Sequence, residues 1–396
     1  MKNIVKSSLA AACAIALFQT NSFANETLAS AFENGKIDGK LKSYFFAKSY
    51  DNDRFEDANI WVNGLDLGYK TGTFYGFGLG TSAQFASVTS INDDDGRYLP
   101  YMDASGTVMS ELYLSYNIDK TTAKVGRQYV TTPIVAGSGS RFIRQSFEGY
   151  SVENTSLDNT KIYAAYLTKF AGRTDGNGSV GKFNKGTVGD DGAWTVYAKN
   201  SSISNLTLQA QYANQSESVD KAKNGAQIYY VDGTYTFGGD AKPFIAAQYL
   251  GTNYEQSGQK NANAYGLKFG ASIADFSGYL AFTSVGKESV KQGIGAGAIP
   301  LFTNGETVDA WSAAFSDTDA YKVGLSYKID NVLLSAAYSN FNRKNQKTLT
   351  ETNFTVTYKA TKNLTAQVQY SILDNQYFAA EPEIKNDLRT RLVYAF

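Results

Sequence analysis

The carboxy-terminal segment 386–396 alternates between two kinds of side chain along its whole length. One set of positions is mostly apolar and ends in an aromatic residue, and the other carries Arg389 and Arg391. A period of two is the signature of a β-strand with two different faces. A guanidinium that faced lipid near the bilayer midplane would cost about 2–4 kcal/mol, so both arginines must face a wet lumen. The segment therefore predicts the closing strand of a transmembrane β-barrel.

The same alternation recurs from Ile37 to the end of the chain, in segments joined in turn by long polar loops and tight turns. We count about 18 strands, about nine long loops and about eight short turns. Segment 311–315 would make the count odd, and because single-chain bacterial barrels have even strand numbers, we assign it to the longest loop, 286–318. The prediction is an all-β transmembrane antiparallel β-barrel with long extracellular loops, short periplasmic turns and both termini in the periplasm.

Residues 1–24 have the form of a secretory signal peptide. Two lysines give a positive start, an apolar stretch follows, and segment 22–24 (Ser-Phe-Ala) supplies small residues for cleavage. We expect cleavage after Ala24, which leaves 25–396 as one outer-membrane β-barrel domain. Cys13 is the only cysteine and lies in the signal, so the mature chain has no disulfide and no thiolate metal site.

Composition removes several classes of function. The chain has 37 basic and 37 acidic side chains, and loss of the two signal lysines leaves a slight acidic excess, so nucleic-acid binding is unsupported. The chain has no histidine, which argues against Ser-His-Asp hydrolases and against His-ligated zinc. No motif suggests another catalytic dyad. We therefore expect no enzyme activity, no metal and no cofactor.

Two other architectures compete with a channel. A soluble β-sandwich also alternates, but a chain of this length would need two or more such domains, and no Pro-rich or Ser-rich linker separates them. A membrane barrel could instead be an adhesin or a structural barrel in which the long loops carry the function. That alternative predicts a closed lumen, whereas a barrel of about 18 strands is wide enough for a channel unless loops fill it.

Periodicity assigns charged side chains to the lumen. The pore-lining basic residues are Lys40, Lys42, Lys322, Lys328, Lys359, Arg389 and Arg391. The pore-lining acidic residues are Asp66, Glu111, Glu148 and Asp232. Walls of opposite sign would orient a zwitterion or steer one sign of ion. The basic cluster favours carboxylate-bearing solutes, although amino acids, organic acids and ions all remain candidates. The plain alternative is that these charges are solvated and only keep the channel wet.

Residues 125–152, VGRQYVTTPIVAGSGSRFIRQSFEGYSV, resemble the OprD family of outer-membrane porins. Arg141, Gln145, Phe147 and Gly149 fit the family pattern R-x-x-P-Q-x-F-x-G, and Arg144 stands in the proline position. The resemblance is specific in this segment and collinear over nearly all of the mature chain.

The resemblance implies a porin in the bacterial outer membrane that passes small charged solutes by passive diffusion. Loop 131–146 then corresponds to the third extracellular loop, which folds inward to narrow the pore, and Arg141, Arg144 and Gln145 are its constriction residues. The family is similar in carrying a basic ladder in the lumen and is often trimeric. Expected partners are outer-membrane lipid, lipopolysaccharide, the solutes themselves, a homotrimer and the barrel-assembly machinery.

Overall fold

The structure is a computed structural model that describes residues 27–51, 56–89, 102–217, 225–256, 258–307, 310–374 and 384–396. The expected signal peptide lies outside the described residues. The described chain forms a closed antiparallel barrel of 18 strands. The strands are β1 Lys36–Tyr50, β2 Ala58–Lys70, β3 Phe77–Thr89, β4 Ala104–Ile118, β5 Thr121–Gln128, β6 Ser146–Asn154, β7 Thr160–Ala171, β8 Ala193–Asn200, β9 Leu206–Gln215, β10 Ala226–Thr236, β11 Phe244–Tyr254, β12 Ala262–Ile273, β13 Phe276–Val285, β14 Thr318–Ile329, β15 Val332–Arg343, β16 Leu349–Lys359, β17 Leu364–Asp374 and β18 Ile384–Ala395.

Each strand pairs with its neighbours in the chain, and the barrel closes where β18 pairs antiparallel with β1. In this closing register Tyr44 lies opposite Arg391, and Phe46 lies opposite Arg389. The predicted fold class and strand number are confirmed. Closure leaves no open sheet edge, which is the condition for crossing a bilayer with strands.

Alternation decides which side chains face lipid. Leu112 and Leu114 on β4 are exposed on the outer surface, whereas Glu111 and Tyr113, which alternate with them, are buried on the lumen side. Aromatic rings on neighbouring strands contact each other on the outer surface, for example Trp194 and Tyr212, with ring centroids 4.8 Å apart. Such aromatic residues are typical of the two membrane interfaces of a barrel.

Helical structure is minor. A short helix, α1 Leu28–Glu33, begins at the N-cap Thr27, precedes β1 and contacts the turn after β2, where the N–H of Gly72 donates to the carbonyl of Ala31. Segment 310–314 forms a turn of 3-10 helix rather than a strand, which confirms its assignment to the long loop. Within the described ranges, no helix is long and apolar enough to cross a membrane.

Candidate functional site

Two loops that connect neighbouring strands fold into the lumen, and the level at which they cross it is called the constriction below. Loop 3, residues 129–145, connects β5 with β6, and loop 7, residues 286–317, connects β13 with β14. Apolar residues of both loops pack in one buried cluster with lumen-facing side chains of the wall. The inward fold of loop 3 agrees with what the resemblance implies, and that of loop 7 was not anticipated from the sequence.

Loop 3 is fixed to the wall on the β1–β3 side by buried polar contacts. The Nζ of Lys42 donates to the carbonyl of Phe142 at 2.5 Å. The side-chain amide of Gln84 both accepts from the backbone N–H of Arg144 at 2.8 Å and donates to its carbonyl at 2.9 Å. These bonds satisfy a stretch of loop backbone that has no sheet partner, and they fix where the loop crosses the lumen.

Loops 3 and 7 meet in a short parallel ladder. The N–H of Ala136 donates to the carbonyl of Ile294 at 3.0 Å, and the N–H of Ile294 donates to the carbonyl of Ile134 at 2.9 Å. Gly295 has φ +87° in this contact, and a Cβ there would clash with the carbonyl oxygen of Ala136. The close approach of the two loops therefore requires glycine at this position.

Loop 7 is anchored to the β14–β16 wall by a buried carboxylate and a lysine. Glu351 accepts the backbone N–H of Glu306 at 2.6 Å, and the backbone N–H and hydroxyl of Thr307 at 3.2 and 2.9 Å. Lys322 donates to the carbonyl of Asn304 at 2.8 Å. Charged groups thus bind loop backbone, and such bonds are stronger than those between neutral groups.

Three of the predicted basic residues reach the constriction already paired with acids. Lys42 lies 2.7 Å from Asp66, and Lys322 lies 2.7 Å from Glu306. Arg389 is almost fully buried and binds the carboxylate of Asp387 through two nitrogens, at 2.5 and 3.1 Å. Asp66 therefore stands beside the basic cluster, and the predicted separation into opposed walls does not hold at this level.

Arg391 differs from these three in its partners. Its guanidinium donates to the amide oxygen of Gln367 at 2.5 Å and to the carbonyl of Ser140 in loop 3 at 3.2 Å. It also lies over the ring of Phe46, 5.0 Å from the ring centroid. Among the described residues, no carboxylate contacts it. Arg391 is therefore a positive charge at the constriction that neutral groups alone hold in place.

The remaining basic residues lie nearer the periplasmic end. Lys40 is exposed and two residues below Lys42 on β1. Lys328 and Lys359 are exposed beside the periplasmic turns, where their backbone N–H groups donate to Asp275 and Asn331. These three positions share the lumen face with the constriction residues but do not contact loop 3 or loop 7, so the cations lie at two levels.

Of the acidic residues, Glu111 and Asp232 are buried on the lumen face of β4 and β10. Asp232 accepts from the amide of Gln209 at 2.6 Å.

Glu148 is a correction, because it lies on the outer surface of the barrel. Its register partner Arg127 pairs in turn with the lipid-facing Leu112. Glu148 bonds Arg127 at 3.3 Å and Lys169 at 2.7 Å. The inner positions of β6 are taken by residues such as Phe147, which is fully buried against the inward loops. The sequence interpretation placed the charge inward and did not foresee an aromatic residue in a loop-filled lumen.

The three predicted residues of loop 3 do not form one set of side chains in the lumen. The guanidinium of Arg141 donates to the carbonyl and hydroxyl of Ser140, and its carbon lies 5.6 Å from the centroid of the Phe46 ring. The Arg144 side chain stacks on Tyr129, with 3.9 Å from its carbon to the ring centroid. Gln145 closes the loop on itself by accepting the N–H of Ser138 at 3.0 Å.

Several residues of the site were missed at the level of sequence. Asp387 shares the alternation of Arg389 and Arg391, and Glu351 shares that of Lys359, so strand parity could have found both. Glu306 lies in a loop and carries no such signal. The described residues contain no group of three or more His, Cys, Asp or Glu side chains that could hold a metal ion.

Known proteins share both sequence and fold with this chain. A family profile described as "outer membrane porin, OprD family" matches residues 30–285. Porin D of Pseudomonas aeruginosa is 26% identical over 152 residues, which are 35% of this chain and only 33% of the length of Porin D.

Solved barrels match nearly the whole chain at low identity and so bear on the fold alone. OpdK of Pseudomonas aeruginosa has a TM-score of 0.75 at 14% identity, covering 92% of this chain and 99% of its own. OpdO of the same organism has a TM-score of 0.76 at 14% identity, covering 94% and 99%. OccAB2 of Acinetobacter baumannii has a TM-score of 0.73 at 15% identity, covering 93% and 99%. On the family profile and the barrel together, the chain belongs to the OprD family of porins, channel proteins of the bacterial outer membrane.

Proposed function

We propose that this porin is a passive diffusion channel that passes small charged solutes, anions in preference to cations, through the gap between loop 3, loop 7 and the wall of β18. The observation that carries the proposal is the state of Arg391. Three further cations beside the inward loops, Lys42, Lys322 and Arg389, have carboxylate partners, whereas Arg391 is held by Gln367 and Ser140. A positive charge whose hydrogen bonds go only to neutral groups attracts anions from the lumen, because no carboxylate forms an ion pair with it.

Carboxylates are the favoured solutes in this proposal. A guanidinium presents a planar fork of donors that fits a carboxylate in a bidentate geometry. The related barrel OpdK has been crystallised with vanillate, which carries one carboxylate. Amino acids and inorganic ions remain solutes of the same channel.

The test is the reversal potential of the purified barrel in a planar bilayer under a salt gradient, for the wild type and for Arg391→Gln. A unit charge about 5 Å from a permeating ion contributes about 0.8 kcal/mol in water-like surroundings, or about fourfold in local ion concentration. We expect the anion-to-cation permeability ratio to fall by about fourfold or more. High salt should reduce the difference, because it shortens the Debye length.

Lys359→Gln provides a matched control. It removes one positive charge from the lumen at the periplasmic mouth, away from the constriction. If Lys359→Gln lowers the permeability ratio as much as Arg391→Gln does, the proposal that Arg391 sets the anion preference is wrong. A wild-type barrel that does not conduct would contradict the channel itself and would favour a function of the extracellular loops, as in an adhesin.

The remaining expectations about biogenesis and surroundings belong to the same proposal. The chain is exported by signal 1–24, its mature part 25–396 is inserted by the barrel-assembly machinery, and it is surrounded by phospholipid and lipopolysaccharide, as a homotrimer. Determination of the mature amino-terminus and the mass of the purified protein in detergent would test the cleavage site and the trimer.

A further inference from the structure

Three charged side chains meet on the outer surface of the barrel, at the ends of β5, β6 and β7 that lie next to the long loops. The carboxylate of Glu148 pairs with Arg127 at 3.3 Å and with Lys169 at 2.7 Å. The side chains of Arg127, Glu148 and Lys169 are 35%, 25% and 42% exposed. Charges on this face are costly within the hydrocarbon of a bilayer, so their depth decides what they meet.

A row of aromatic side chains on the outer surface indicates the depth of this charged cluster. Tyr150 on β6 lies opposite Tyr166 on β7, which lies opposite Trp194 on β8, and ring contacts continue the row across β9 and β10. Tyrosine and tryptophan are typical of the interface between membrane and water. Glu148 and Lys169 lie beyond this row, on the side of the long loops. The cluster is therefore at the level of lipid headgroups.

The two cations of the cluster keep hydrogen-bonding capacity after they have paired with Glu148. A guanidinium has five N–H donors, and in bonds to described residues Arg127 gives one to Glu148 and one to the carbonyl of Met109 at 3.4 Å. The ammonium of Lys169 has three N–H donors, of which one binds Glu148. Two positive charges against one negative charge leave the cluster positive. It can therefore accept an anion from outside the barrel.

The loop between β7 and β8 holds the guanidinium of Arg127 in place. Residues 183 and 184 of this loop pair with the end of β7, and the ring of Phe183 lies 4.4 Å from the guanidinium carbon. Arg127 is thus held by the ring, by Glu148 and by the backbone of β4 at the same time. A cation that is already ordered loses less conformational freedom when it binds an anion.

We propose that Arg127 and Lys169 bind a phosphate monoester of a lipid in the outer leaflet, the group that lipopolysaccharide carries on its lipid A. A phosphate monoester has a charge of about −1.5 to −2 and three acceptor oxygens, so it balances the cluster and binds donors of both cations. A phosphodiester lipid has a single charge and binds more weakly. The site lies on the outside of the wall, so it goes beyond the proposed channel function and does not depend on it.

The experiment is native mass spectrometry of the full-length purified barrel, titrated in detergent with one lipid at a time. The probes are bisphosphorylated lipid A, phosphatidylglycerol and phosphatidylethanolamine, which offer a monoester, a charged diester and a zwitterion. We expect the first molecule of lipid A to bind at least tenfold more tightly than either phospholipid. Equal binding of phosphatidylglycerol would overturn the assignment to a phosphate monoester, and equal binding of phosphatidylethanolamine would overturn the role of charge.

Arg127→Gln and Lys169→Gln test the two cations. Each should raise the dissociation constant of lipid A about fivefold, the contribution of one basic side chain at a membrane surface, and the double variant should raise it at least tenfold. The matched control is the double variant Lys161→Gln, Lys199→Gln, because these lysines lie opposite each other on the lumen face at the periplasmic ends of β7 and β8. An effect of equal size in the control would overturn the site.

Glu148→Gln distinguishes a lipid site from an ion cluster that only stabilises the wall. Removing the acid should tighten the binding of lipid A about fourfold, the effect of a unit charge about 5 Å away in water. Weaker binding would show that the carboxylate, and not the two cations, carries the interaction. The same spectra report the number of chains in each particle. If the double variant of Arg127 and Lys169 alters this number and leaves lipid binding unchanged, the surface joins copies of the chain and the proposal is wrong.

Discussion

Glu351→Gln is expected to loosen loop 7 and to make the open channel larger and noisier. The Glu351 carboxylate is fully buried on β16 and accepts the N–H of Glu306 at 2.6 Å, and the N–H and hydroxyl of Thr307 at 3.2 and 2.9 Å. It also accepts from the amide of Asn353 at 2.8 Å. One side chain thus holds residues 306 and 307 of a loop that crosses the lumen.

The magnitude follows from the change of acceptor. A hydrogen bond to a charged group contributes about 1.5–3 kcal/mol, and one between neutral groups about 0.5–1.5 kcal/mol. Losing the charge weakens each bond from loop 7 by about 1 kcal/mol, and the attachment as a whole by about 3 kcal/mol. The ratio of docked to released loop should therefore fall about a hundredfold.

The assay is single-channel recording at constant salt and voltage. Wild-type channels should hold one steady level, and the variant should visit a second level of higher conductance. Glu351→Ala, which removes every acceptor, should spend more time in that level.

Glu153→Gln is the matched control for this change of charge. Glu153 pairs with Lys161 at 2.7 Å near the periplasmic end of β6, and both side chains are about as exposed as surface pairs, which contribute little. Conductance and open-channel noise should remain at wild-type values. If Glu351→Gln and Glu351→Ala both behave like this control, loop 7 is held by its other contacts and the reasoning is wrong.

Three further changes have definite expectations. Gly295→Val should raise single-channel conductance, because the added side chain forces loop 7 away from the carbonyl of Ala136. Glu148→Gln should leave the reversal potential under a salt gradient unchanged, because this charge faces outward. Asp103→Asn should slow proteolysis of loop 172–192 at neutral pH and leave it unaltered in acid. Burial, and then the charge of Asp175, raises the pKa of Asp103, so its stabilising protonated form is lost as pH rises through that pKa.

Each of these expectations has a control in the chain. Gly239→Val introduces a side chain at φ +95° with no neighbouring atom, and it should leave conductance unchanged. Asp66→Asn removes an acidic charge beside Lys42 in the lumen, and it should shift the reversal potential that Glu148→Gln does not. Asp158→Asn lies in a periplasmic turn and should not affect loop 172–192. An altered reversal potential in Glu148→Gln, or a Gly295→Val channel of wild-type conductance, would contradict the geometry described above.

The barrel itself could be predicted because the alternation of apolar and polar side chains is set within each strand. Every strand must bury one face against lipid, so the alternation in β18 is visible in the sequence, and it assigns Arg389 and Arg391 to the lumen. The number of strands followed from the regular alternation of long loops and short turns along the sequence.

The interior was harder to predict, because a lumen filled by loops is not uniformly polar. Phe147 and Phe170 face inward and pack at a tilt, with ring centroids 4.8 Å apart, in the cluster that includes the apolar residues of loops 3 and 7. If every aromatic residue is assumed to face lipid, the residue next to it on the strand is assigned to the lumen. This assumption places Phe147 outward and Glu148 inward, which is the reverse of the observed arrangement. A register shift between β6 and β7 leaves Thr168 as an extra residue and moves Lys169 to the outer face. Bulges of this kind follow from pairing with a neighbour and not from periodicity.

Pairing at the constriction depends on contacts between residues far apart in the chain. Lys322 finds Glu306 in loop 7, and the loop's inward path is set by where its backbone can bond. The apolar residues of segment 290–301 were the available signal for the inward path of loop 7, because a loop that is exposed to water is usually polar. The glycines of the same segment allow close backbone contacts.

The seam between β1 and β18 has a consequence for biogenesis. Lys42 on β1 contacts loop 3, and on β18 Arg391 contacts loop 3 and Arg389 contacts loop 7, so the two strands of the seam together hold both inward loops. Before these strands zip together, neither loop has its full set of anchors. Pairing of β18 with β1 therefore completes the anchoring of both inward loops. The anion preference that we propose for the channel therefore requires a closed barrel.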